Sequence, residues 1–212
     1  MKYALGTTPS LVLYNNHLDP LKILQILKAS QCNRSSNCSC KIYRSIWGMS
    51  RALDKEAWGF DHGSWGVLIK MYPDADIPMV QLSIDSSKPA AWHFEMGRKL
   101  AALRDEGIML VASGNVVHNL RTVKWHGDSS PYPWAMSFNE YVKANLTWQG
   151  AVEQHPLVNY LDHEGGALSN PTPEHYLPLL YVLGAWDGQE PITIPVDGIE
   201  MGSLSMLSVQ IG

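Results

Sequence analysis

Four of the eight histidines in this chain lie in short patterns whose residue types suit chemistry. Asp61-His62-Gly63-Ser64-Trp65 sets an imidazole beside a glycine, which can adopt backbone angles closed to other residues. Ser113-Gly114-Asn115-Val116-Val117-His118-Asn119 turns out of an apolar run. Asp162-His163-Glu164-Gly165-Gly166 places an imidazole between two carboxylates, and Asn170-Pro171-Thr172-Pro173-Glu174-His175 brings another to a helix entry. Neutral imidazole is the commonest nitrogen ligand for metals and the usual proton carrier near pH 7, so both chemistries are open.

Each pattern also has a plain structural alternative. His62 could cap the helix that follows it, and His118 could bond a loop carbonyl. Asp162, His163 and Glu164 read as a solvated loop, because neighbours in sequence seldom point together. His175 taken alone reads as a capping or surface residue. His155 precedes Pro156 and reads as structural, while His93 and His126 have no supporting pattern. Cys32, Cys38 and Cys40 are odd in number, irregularly spaced and confined to one polar stretch, which fits neither a disulfide framework nor a paired zinc site.

The elements that must position these side chains alternate between helix and strand. Ser64 opens a short helix through Val67, Leu68 and Met71. The stretch from Ile77 to Ile84 is strand-like. Trp92, Met96, Leu100 and Leu103 recur at helical spacing after Pro89, and Gly107 ends that helix. Ile108 to Ala112 is apolar on both faces, as in a central strand covered by helices. His118 follows its carboxyl end, where open α/β sheets bind ligands. Helices are expected over Ser137 to Thr147 and after Thr172-Pro173, the latter distorted by Pro178. A last strand is expected over Ser205 to Ile211. Earlier, Asp19-Pro20 followed by Leu21, Leu24, Ile26 and Leu27 reads as a short helix. The class is therefore α/β, a layered domain with a central β-sheet flanked by helices.

Composition narrows the function. A net charge of −4 with 17% charged residues provides no basic surface for nucleic acid. No apolar run is long enough to span a membrane, and the start of the chain makes a poor signal peptide, so the expected compartment is the cytoplasm.

The run from Leu53-Asp54-Lys55 through His62-Gly63-Ser64-Trp65 closely resembles the bacterial 4,5-DOPA extradiol dioxygenase family. So do Asp76-Ile77-Pro78-Met79-Val80-Gln81-Leu82-Ser83, Ser113-Gly114-Asn115-Val116-Val117-His118-Asn119 and Pro171-Thr172-Pro173-Glu174-His175. The likeness spans residues 53–212 and points to the class III, protocatechuate 4,5-dioxygenase type. It implies metal-dependent opening of a catechol such as L-DOPA by O2. Within it His175 would be a metal ligand, and His118 a metal ligand, a proton acceptor from the catechol, or both. His62 would act on substrate or oxygen as acid or base. The implied cofactor is Fe(II), and Zn2+ could occupy the same site without supporting turnover.

Residues 1–52 depart from that pattern. They lack the Gly-His-Gly-Ser-Pro and Ser-Ala-His-Trp motifs that carry two further metal-binding histidines in the family. The only histidine before Leu53 is His17. The chain is thus expected to divide into an atypical segment, residues 1–52, and a C-terminal part of an extradiol-type domain, residues 53–212, without the family's first strands. Two other readings stand beside the dioxygenase: a metal-dependent hydrolase, since a histidine-held metal also activates water, and an inactive truncated remnant.

Overall fold

The computed structural model describes residues 10–14, 24–26, 53–54, 62–74, 79–105 and 107–212; the first three segments, residues 62–66, 79–81 and 83 are described by their backbone. A five-stranded sheet lies at the centre, in the order β3-β2-β4-β1-β5. Its strands are β1 (Ser10–Tyr14), β2 (Leu24–Ile26), β3 (Leu53–Asp54), β4 (Met79–Ser83) and β5 (Met109–Ala112). β1 pairs in parallel with both β4 and β5, with Ser10 opposite Met79 and Met109. β2 runs antiparallel to β4 and parallel to β3. The α/β class read from the sequence holds, and β1 and β2 come from residues 1–52.

Two readings of these strands are corrected. Leu24–Ile26 is a strand and not part of a helix: two apolar residues, one on either side of Gln25, are too few to fix a period, and pairing with β4 decides it. β5 is an edge strand in the described sheet and not a central one. Apolar character on both faces does not encode a neighbour on both sides, and Met109 is correspondingly 36% exposed.

The helices are α1 (His62–Met71), α2 (Ala90–Asp105), α3 (Pro133–Ala144), α4 (Gly166–Ser169) and α5 (Leu177–Gly184). α2 buries Met96, Leu100 and Leu103 of the expected stripe, leaves Trp92 only partly buried and adds Phe94. It meets α5 at backbone contact. A Cβ on Gly97 would lie 2.2 Å from the Tyr181 carbonyl oxygen, and one on Gly184 would lie 2.1 Å from that of Phe94. α3 begins at Pro133, four residues before the expected Ser137, because proline at the first helical position leaves no N–H unpaired. The same physics removes the distortion expected from Pro178, which sits in the first turn of α5.

Beyond α5 the chain forms β6 (Ile192–Val196) with β9 (Ser208–Ile211), and the two-residue strands β7 (Ile199–Glu200) and β8 (Leu204–Ser205). The last expected strand is therefore two, broken between Ser205 and Ser208. Among the described residues no helix is long and apolar enough to cross a membrane.

Candidate functional site

The segment after β5, the stretch from α4 to α5, and the β7–β8 hairpin converge on one place. Gly114 allows the first two to touch: a Cβ there would lie 2.1 Å from the His175 carbonyl oxygen. The Asn115 N–H donates to that carbonyl at 2.9 Å, and the His118 N–H donates to the Ser169 carbonyl at 2.8 Å. Asn170 adds a side-chain bond, its Nδ2 donating to the Val116 carbonyl at 2.9 Å.

The hairpin closes the third side. Its three-residue turn, Met201 to Ser203, places Met201 at φ 52° and Gly202 at φ 80°, both left-handed. Ser205 N–H then donates to the Val117 carbonyl at 2.9 Å, and Asn115 Nδ2 to the Ser205 carbonyl at 2.7 Å. His118 bridges Leu204 as an isolated antiparallel pair.

This frame brings the side chains of His118 and His175 together. Their rings stack with centroids 3.6 Å apart and planes 20° from parallel, and both residues are partly buried. His175 lines a cavity of about 710 Å³, with Ser113 and Asn115 among its polar and Leu110, Val182 and Leu207 among its apolar walls; His118 reaches it only through the ring of His175. Glu174, next to His175, is buried and accepts a hydrogen bond from Thr172 Oγ1 at 2.5 Å. His62 is the first residue of α1, and its side chain lies outside the described residues.

The other histidines are placed elsewhere. His163 Nδ1 accepts the Gly165 N–H at 3.0 Å, so its proton sits on Nε2, 3.3 Å from Ser137 Oγ. With its ring against Tyr141 it clips a loop and cannot take a proton from that serine. His155 Nδ1 accepts the Leu157 N–H at 3.1 Å, with its ring between Phe94 and Trp148. Burial, then the Arg98 charge, lowers its pKa to about 4. His93 is fully buried, with Nδ1 2.9 Å from the Tyr181 hydroxyl and Nε2 3.3 Å from the Lys88 carbonyl. Burial lowers its pKa to about 4 against the opposing pull of that carbonyl. His126 is exposed.

Imidazole nitrogens suit Fe(II) and Zn2+ alike, so His118 and His175 are donors of the right type. Among the described residues, no group of three or more His, Cys, Asp or Glu side chains could hold a metal ion. Cys32, Cys38, Cys40 and His17 lie outside the described residues. Asn115 and Asn170, which tie the frame, were not singled out as site residues by sequence reasoning; the only signal was an amide beside glycine or proline in each pattern.

Fold and site together define an α/β protein with a pair of imidazoles beyond the carboxyl end of a parallel strand. No protein-family model matches the chain. It is 98% identical over 160 residues to the 4,5-DOPA dioxygenase extradiol of Escherichia coli K12, covering 76% of this chain and 59% of that protein. It is 40% identical over 137 residues to the 4,5-DOPA dioxygenase extradiol of Portulaca grandiflora, covering 64% of this chain and 49% of the relative. A crystal structure of an uncharacterized protein from Escherichia coli K12 superposes with a TM-score of 0.85 at 73% identity, over 98% of this chain and 88% of the other. Through the matched segment the chain belongs to the 4,5-DOPA extradiol dioxygenase family. It spans about three-fifths of the length of its bacterial curated relative.

Proposed function

We propose that the paired imidazoles serve the extradiol opening of catechols such as L-DOPA, with O2 as co-substrate and Fe(II) as cofactor. The stacking of His118 on His175, which lines an open cavity, carries this reading. In the reaction the ring carbon–carbon bond next to the diol breaks, and both atoms of O2 enter the product. His118 and His175 would hold the metal, which when bound supplies Lewis-acid polarisation of the diol and of oxygen. His118 would also accept a catechol proton, since a neutral imidazole near its working pH can take one. His62 would be the second proton-handling group. The apolar walls of the cavity suit an aromatic ring, and Asn115 and Ser113 offer polar contacts at the histidine end.

Residues 53–212 would carry this chemistry, with residues 1–52 foreign to it. The two donors among the described residues are fewer than a tightly held metal needs, and that observation favours a second reading, an inactive remnant of the family. Anaerobic loading with Fe(II), followed by oxygen uptake with L-DOPA and a yellow ring-opened product, tests the first. A folded, iron-loaded chain that consumes no oxygen overturns it. Substoichiometric iron after loading supports the remnant instead.

A further inference from the structure

We propose that Asn170 is a positioning residue that sets the spacing of the His118 and His175 rings. The proposal rests on the reading of those two imidazoles as the working pair.

Four hydrogen bonds zip the His118 segment to the His175 segment. Two are backbone bonds, Asn115 N–H to His175 O and His118 N–H to Ser169 O, and a third, from Asn119 Nδ2 to the Leu168 carbonyl, lies outside them. Between the two backbone bonds, Pro171 and Pro173 have no N–H to offer. Asn170 fills that gap with its side chain. Its own N–H is committed to the Gly166 carbonyl at 3.0 Å, while Nδ2 reaches the Val116 carbonyl. Val116 is 5% exposed, so without this donor its carbonyl would have little access to water. The bond thus sits between the backbone anchors of the two histidines.

The amide is not arranged for stability alone. Asn170 is 4% exposed, and its Oδ1 finds no partner among the described residues. Flipping the amide would set Oδ1 against the Val116 carbonyl, acceptor against acceptor, so the network fixes its orientation. A buried polar atom left unsatisfied destabilises a fold. Its retention here is explained by the geometry that the other end of the amide enforces. Neighbouring Ser169 provides the contrast: it is fully buried too, yet its Oγ bonds nothing among the described residues, and only its backbone carbonyl serves the zip.

The test compares Asn170→Ala, Asn170→Asp and Ser169→Ala in the full chain. The primary readout needs no metal: the ring-proton shifts of His118 and His175, assigned with His118→Gln and His175→Gln. Stacked rings shift one another's protons. In both Asn170 variants these shifts are expected to move toward those seen when the partner ring is absent, with circular dichroism unchanged. In Ser169→Ala they are expected to stay at wild-type values. The second readout is titration with Co(II), followed by its visible band, where loss of Asn170 weakens binding about tenfold or more. Folded Asn170 variants with unmoved ring shifts overturn the proposal. So does failure of both Asn170 variants to fold, which would make the residue part of the core. If the wild-type chain binds no Co(II) while the ring shifts move as expected, the positioning role stands and the metal reading falls.

Discussion

His93, on α2, and His155, packed against Phe94 of that helix, are buried, whereas His118 and His175 stand partly buried in loops beyond a strand end. The side chain is the same, and its setting assigns it different work. In the buried pair every ring nitrogen with an assigned partner meets a fixed neutral group: a tyrosine hydroxyl, a carbonyl, a backbone N–H. Burial holds both rings neutral, with pKa values near 4. In the stacked pair His175 lines a cavity, and the backbones around both rings are tied to one another by hydrogen bonds.

That contrast can be broken from both sides. The largest effect is expected for His118→Ala, which should lower oxygen-dependent turnover of the iron-loaded chain by about 10²-fold or more. Its thermal midpoint should barely move; a large fall in stability would place His118 with the packing histidines. His93→Ala should do the reverse, destabilising the fold by roughly 2–4 kcal/mol because the Tyr181 hydroxyl and Lys88 carbonyl lose their partner in a dry interior. Denaturant unfolding measures it.

Acid gives the same separation without mutation. A histidine whose folded pKa lies below its unfolded value stabilises the fold fully above about pH 6.5, and that contribution is lost as pH falls toward 4. For His93 it is on the order of 3 kcal/mol, and unfolding curves across this window should show less stability loss in His93→Leu than in the parent chain. Next comes Gly114→Ala, expected to destabilise by about 2 kcal/mol, since the new Cβ meets a backbone carbonyl that the zip holds in place. The smallest effect is expected for Arg104→Ala. Arg104 forms a two-pronged pair with Glu190 that is partly open to water, and its loss should cost about 1 kcal/mol.

Much of this was legible in the sequence, and the limits have physical causes. The stripe of α2 could be read because helical spacing encodes one buried face, and Met96, Leu100 and Leu103 occupy it. His118 and His175 each stood out in a local pattern. That their rings would stack was not legible, because α3 and α4 separate them along the chain and only the folded loops bring them together. Leu24–Ile26 was misread because two apolar residues around Gln25 are too few to fix a period. β5 was misplaced because hydrophobicity reports burial and not the number of neighbouring strands. Asn115 and Asn170 were hidden for a different reason: an amide that bonds a distant carbonyl looks, in sequence, like any other loop amide.

The hydrogen bond from Asn115 to the Ser205 carbonyl spans 90 residues and ties the histidine frame to the β7–β8 hairpin. Synthesis proceeds from the N-terminus, so the loop that carries His118 is made well before the hairpin that braces it. During translation both histidines can exist on a largely folded chain while their frame is still open on one side. A nascent chain halted before Ser205 would carry both imidazoles and lack this brace, so the frame closes only once Ser205 has been made.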